Sequence, residues 1–165
     1  MSGRKALQSV ALTAQAFAPF GDVLELSDGP FKTINQGRCH RFHDLATLDF
    51  DDGRAGINLF NAEVRPPPFM IEMVERHPQG SQCFIPMHGS GYLIVVAPDD
   101  GGQPGTLRAF RATGGQGVNY HRNVWHAVLT PISGSGLFAV VDRIGAGANL
   151  KEHWFDQPVE VKADL

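Results

Sequence analysis

The sequence predicts an all-β fold, a sandwich or barrel, preceded by a short N-terminal helix. Three observations carry this expectation. Short runs rich in β-branched and aromatic residues follow one another along the chain, glycine and proline punctuate them, and convincing helical signal is confined to one early stretch. There are 19 glycines and 11 prolines, concentrated between these runs. Thr13 is placed to cap the helix and Pro19 to close it. The predicted strands are DVLEL (22–26), RFHDLATL (41–48), GINLFNAEV (56–64), FMIEMVERH (69–77), QCFIP (82–86), GYLIVVA (91–97), TLRAFRA (106–112), GVNYH (117–121), VWHAVLT (124–130) and GLFAVVDRI (136–144). Turn chemistry separates them at SDGP (27–30), PPP (66–68), PDDGGQPG (98–105) and SGSG (133–136). EHWFDQPVEVKADL (152–165), mixed in polarity, is expected to lie over the barrel or to reach a partner subunit.

Composition narrows the function. A chain of 165 residues, 42% apolar and 19% charged, suits one folded domain spanning 1–165. Fourteen basic against 17 acidic side chains leave a net charge of −3 without long runs of either sign. That balance argues against a surface for nucleic acid. The longest apolar run, YLIVVA, is too short to span a bilayer, and MSGRKALQSVAL lacks a secretory pattern. Cys39 and Cys83 are expected to be free thiols in a reducing, cytoplasmic compartment.

Alternation along the strands picks out polar residues with chemistry. In FMIEMVERH, Ile71, Met73, Glu75 and His77 share one face, so a packed interior gives way to a carboxylate and an imidazole. Glu72, Val74 and Arg76 take the other, expected to be solvated or at an interface. Gln82 shares a face with Phe84, and a hairpin through PQGS would return it to Glu75 and His77. In VWHAVLT, His126, Val128 and Thr130 share a face. A lone histidine is more often a surface or hydrogen-bonded core residue than a ligand, and His40, His43, His88 and His153 are read that way. His43-Asp44 is a poor metal pair, because consecutive strand residues point to opposite faces.

The spacing resembles the two motifs of cupin barrels. Glu75-x-His77-x4-Gln82-x6-Gly89 fits the later part of the first, with Glu for the first His and Gln for the usual Glu. Gly115-x5-His121-x-Asn123-x2-His126-x3-Thr130 fits the second, with His121 for the usual Pro and Asn123 for the usual Gly. The expected fold is thus a cupin-like double-stranded β-barrel, or jelly roll. Longer stretches, RFHDLA (41–46), ERHPQGSQCFIPM (75–87) and LRAFRATGGQGVNYHRNVWH (107–126), resemble the bacterial ureidoglycolate lyase family, from about Phe17 to Arg143. The resemblance implies a homodimer that releases urea from (S)-ureidoglycolate and leaves glyoxylate, in allantoin and purine breakdown. It also implies a divalent metal, usually nickel.

That reaction needs a base for the substrate hydroxyl and an acid for the leaving nitrogen, each contributing roughly 10²–10⁴-fold. Glu75, His77, His121 and His126 are the catalytic candidates. Gln82, Arg65, Asn58 and Tyr120 are candidates for binding substrate, with Arg65 a cation for its carboxylate. Glu75, His77, Gln82 and His126 form an oxygen/nitrogen set able to hold nickel, manganese or iron. The same four can work without a metal, Glu75 fixing an imidazole tautomer and Gln82 bonding the substrate. Two other classes stay open: an Fe(II) cupin oxygenase using His77, His126 and Glu75, and a non-catalytic cupin that binds a small ligand.

Overall fold

The computed structural model of the protein describes residues 6–28 and 31–164, so Gly29 and Pro30 of the SDGP turn, and residues 1–5, lie outside the described residues. Strands β1 (Leu7–Ala11), β2 (Gly21–Leu24), β3 (Lys32–Ile34), β4 (Cys39–Arg41), β5 (Arg54–Asn61), β6 (Phe69–Arg76), β7 (Gln82–Pro86) and β8 (Tyr92–Ala97) make up the first half. Two-residue β9 (Asp99–Asp100) and β10 (Gln103–Pro104) follow, then β11 (Arg108–Ala112), β12 (Gly117–Tyr120), β13 (Trp125–His126), β14 (Thr130–Pro131), β15 (Leu137–Ile144) and β16 (Lys151–Lys162). The helix, α1 (Ala14–Phe17), begins as expected at Thr13, whose Oγ1 accepts from the Ala16 N–H at 3.2 Å.

The fold class is the predicted one, nearly all β with a closed six-strand mixed barrel. Strands β11-β1-β16-β6-β13-β8 run in that order, the β8–β11 pairing closes the ring, and β14 extends from β8. A second sheet, β2-β12-β7-β15-β5, packs against it, and β3 and β4 form a separate hairpin. One core fills the barrel, with Ile71, Val74, Leu93, Val95, Trp125 and Val161 among its members. The other lies between barrel and second sheet and includes Phe17, Phe84, Ile94, Val96, Phe110 and Phe138. Strand β8 supplies both cores from its two faces, which is why it reads as an unbroken apolar run.

Several expectations are corrected. The C-terminal segment does not lie over the barrel: β16 is a stave of it, parallel to β1 and antiparallel to β6, with Val161 opposite Phe69. Strand β1 was not anticipated either. RFHDLATL is strand only up to Arg41; Asp44 adopts a left-handed φ of 56° and the run to Leu48 is irregular. VWHAVLT is broken after His126, so Val128 and Thr130 do not continue its face. PDDGGQPG closes a two-residue ladder through Gly101 and Gly102, both at positive φ. Cys39 and Cys83 are free thiols, Cys83 buried and Cys39 half-buried.

Candidate active site

Strands of both sheets converge on one polar cluster. Glu75 at the end of β6 pairs in register with His126 of β13. His77 follows on the same side of the chain, and one ligand atom from each of Glu75, His77 and His126 lies within 4.8 Å of the others. Alternation predicted Glu75 and His77 together and placed Glu72 in solvent correctly, but it misjudged Val74 and Arg76 on the opposite face. Val74 is fully buried in the barrel core. Arg76 is buried too, its guanidinium 4.9 Å from the Trp125 ring, 3.0 Å from Asp99 Oδ1 and 3.2 Å from Asn123 Oδ1. A closed barrel has no solvated inner face, so Arg76 is unavailable to a substrate in the cluster.

Gln82 joins from the second sheet. Strands β6 and β7 belong to different sheets, so HPQGS is a crossover rather than the expected hairpin. Gln82 Oε1 nevertheless reaches His77 Nε2 at 3.1 Å. The crossover is tied down on both sides. Asn149 Oδ1 accepts from the Gln79 N–H at 2.7 Å, and Ser81 exchanges hydrogen bonds with Asp49. Gly80 is required there, because a Cβ would sit 2.8 Å from Arg143 Cβ. Asn123 stands at φ 64°, a conformation open to Gly and tolerated by Asn. That explains why this motif position accepts either residue. Its N–H donates to the His77 carbonyl at 3.2 Å.

Hydrogen bonding sets both imidazole tautomers. His77 Nδ1 lies 2.7 Å from the Asn149 carbonyl, and His126 Nδ1 lies 3.2 Å from that of Ala127. A carbonyl only accepts, so each Nδ1 carries hydrogen and each neutral ring presents an Nε2 lone pair. His126 Nε2 is buried without a partner, and Glu75 Oε1 is 3.8 Å from His77 Nε2. Two imidazoles oriented by backbone carbonyls, a carboxylate and an amide oxygen are a donor set that fits a divalent cation.

Burial shapes the charges. His126 is pushed down to about 3, chiefly by loss of water and then by His77, against a smaller opposing effect of the Ala127 carbonyl. It is a neutral lone-pair donor at physiological pH. The Glu75 carboxyl is raised, first by burial, with His77 lowering and Glu152 raising it. Tyr120 lies flat against His126, ring centroids 4.2 Å apart and 1° from parallel. Its phenol is raised by burial and by Glu75, so it stays an O–H donor. The thiol of Cys83 is raised to about 11 by burial and Asp22, which leaves no activated nucleophile there.

A cavity of about 290 Å³ opens beside Glu75, with Arg65, Met73, Val128, Glu152 and Trp154 among its walls. Its size is near the lower end of small-molecule pockets, roughly 300–1,000 Å³. Glu75 belongs to both cavity and cluster and so joins them. Arg65 lines the same cavity as Glu75. Asn58 is engaged with Asp142 Oδ1 at 3.0 Å. His121 is not brought to the cluster: after β12 ends, it turns to the outer surface, with Nε2 3.4 Å from Asp22. Lys32 and Arg41 face each other across the β3–β4 hairpin.

Three contributors were missed. Asn149 orients His77 through its backbone carbonyl, a role that leaves no sequence signal, while its side chain ties down the crossover. Glu152 sits opposite Glu75 in a strand that was not predicted. Asp142 did leave a trace, an acid continuing the inward alternation of Phe138 and Val140.

Residues 4–162 match the profile of a family described as ureidoglycolate lyase. The chain is 54% identical over 152 residues to a ureidoglycolate lyase of Rhodobacter capsulatus, covering 92% of this chain and 94% of that one. It is 48% identical over 153 residues to ureidoglycolate lyase 2 of Rhizobium meliloti, with the same coverage. Against a ureidoglycolate lyase of Stutzerimonas stutzeri the identity is 47% over 156 residues, covering 93% of this chain and 92% of the relative.

Proposed function

The chain belongs to the ureidoglycolate lyase family, and from that premise we propose that the Glu75–His77–Gln82–His126 cluster cleaves ureidoglycolate to glyoxylate and urea. The observation that carries the residue assignment is the convergence of Glu75, His77 and His126 within 4.8 Å of one another, with Glu75 also lining a cavity that Arg65 shares.

The substrate carbon bears a hydroxyl, a carboxylate and a urea nitrogen. Cleavage transfers the hydroxyl proton to a base, closes a C=O bond, breaks C–N and returns a proton to the urea nitrogen, so the products sum to the substrate. Glu75, its carboxyl raised by burial, is the base, since a raised carboxylate is a better proton acceptor at neutral pH. Tyr120, which keeps its proton, supplies a hydrogen bond on the His126 side of the cluster. Arg65 holds the substrate carboxylate from the cavity wall. His77, His126, Glu75 and Gln82 would hold a divalent ion such as nickel, which when bound would acidify the hydroxyl and anchor the hydroxy acid. The enzyme is a carbon–nitrogen lyase of the urea-releasing, amidine-lyase class, working in allantoin degradation as one domain over 1–165. Two unpaired thiols support a cytoplasmic setting, and no helix among the described residues is long and apolar enough to cross a membrane. A homodimer is supported by exposed Ile57, Leu59 and Ile85 on one face of the second sheet.

The test is to follow urea and glyoxylate together from racemic ureidoglycolate. Equimolar release is expected, falling by at least about 100-fold in kcat/KM for His126→Ala and His77→Ala. Ammonia in place of urea would indicate an amidohydrolase, and oxygen uptake an Fe(II) oxygenase; either result would sink this assignment.

A further inference from the structure

We propose that Asp142 is a positioning residue that holds Gln82 as an oxygen donor to the Glu75–His77–His126 cluster; this rests on reading that cluster as a divalent-cation site. The two ends of a glutamine amide differ chemically, and the network decides between them. Asp142 Oδ2 lies 3.3 Å from one end of the Gln82 amide, and a carboxylate only accepts, so that end is the NH₂. The oxygen is thereby turned to His77 Nε2 at 3.1 Å. Asp142 is itself held by Asn58 Nδ2, 3.0 Å from Oδ1. The Asn149 carbonyl accepts from His77 Nδ1–H, so the neutral His77 ring presents its Nε2 lone pair to the Gln82 oxygen.

The consequence is a set of facing acceptors. With His77 neutral and Glu75 ionised, Gln82 Oε1, His77 Nε2, the Glu75 carboxylate and the partnerless His126 Nε2 are converging acceptors. Such a group repels itself until a cation, or a proton in its place, sits between its members. Left to itself, the Gln82 amide would turn over and donate N–H to His77 Nε2, which removes the repulsion and closes the oxygen site. Asp142 prevents that turn. An asparagine at 142 favours it, since its oxygen can accept from Asn58 while its NH₂ faces a reversed Gln82.

The test titrates Ni²⁺ by calorimetry into the full chain after chelator treatment. Asp142→Asn is expected to weaken binding about 10–100-fold, the usual effect of losing a group that orients a ligand. Adding Gln82→Glu to Asp142→Asn is expected to restore most of that loss, because a carboxylate offers oxygen whichever way it turns. Gln82→Glu alone sets the gain from added charge, and a purely structural role for Asp142 would leave the Asp142→Asn loss undiminished in that background. Should Asp142→Asn fail to fold, Asp142→Ala removes the acceptor without adding a competing amide and carries the same expectation. Wild-type affinity in the Asp142 variant, absence of rescue by Gln82→Glu, or a wild type that binds no Ni²⁺ would each overturn the proposal. Urea release by a wild type that binds no Ni²⁺ overturns this inference and leaves the lyase reading standing. Asp142-dependent Ni²⁺ binding without urea release does the reverse.

Discussion

His126 shows how much a single buried group can decide. Its ring is enclosed, stacked on Tyr120 and bonded to one carbonyl, and it is pushed down to about 3. An unfolded histidine titrates near 6.5. Between those values the unfolded chain takes up a proton that the folded chain refuses. The stability associated with neutral burial is thus complete above about pH 6.5 and is lost as pH falls, at roughly 1.4 kcal/mol per pH unit. Glu75 acts with the opposite sign, since a carboxyl raised by burial favours the folded state as it becomes protonated. In metal-free protein, urea unfolding at pH 6.5 and 4.5 should show His126→Gln losing about 2–3 kcal/mol less than wild type over that interval. An equal loss in both would show that His126 is not held neutral. The chemistry of Glu75, His77, Gln82 and His126 was legible in the sequence because strand alternation and motif spacing both point to them. Asn149 and Glu152 were not, because one reaches His77 through its backbone carbonyl and the other reaches Glu75 through a strand order that local sequence does not encode.

At the scale of elements, β16 carries the largest departure from expectation. Its mixed polarity reads as a segment lying over the barrel or reaching a partner subunit, yet Val161 is almost wholly buried between β1 and β6, while Trp154 earlier in the strand is exposed. A register shift between Trp154 and Val159 separates the two halves and interrupts the alternation that would have announced a strand. Val161→Ala should lower unfolding stability by about 2 kcal/mol, whereas Trp154→Ala should change it by less than about 0.5 kcal/mol. Denaturant midpoints at unchanged m-value would measure both. Similar costs for the two variants would contradict the assignment of β16 as a barrel stave. Strand β8 is the converse case: YLIVVA was legible as a strand, and its burial on both faces follows from lying between the two cores.

For the whole molecule, the outer face of the second sheet is the conspicuous apolar surface. Ile57 and Leu59 are 81% and 66% exposed, and Ile85 joins their face through Ala139 of β15. Burying this face against a second copy would supply the dimer proposed above. Ile57→Lys with Leu59→Lys should therefore convert a dimer to monomer in sedimentation analysis at micromolar concentration, with the barrel's far-UV circular dichroism unchanged. A dimer that survives both substitutions would place the interface elsewhere.

Local sequence suffices for the all-β class, the capped helix and the residue types at the site. Those features are local, resting on side-chain period, turn chemistry and motif spacing. Tertiary structure alone decided that β1 and β16 close the barrel, that Arg76 is sealed inside it, and that His121 stands away from the cluster. It also decided which end of Gln82 faces His77, through an aspartate 60 residues further along the chain. Strand order and amide orientation are fixed by partners distant in sequence, and only the folded chain brings those partners together.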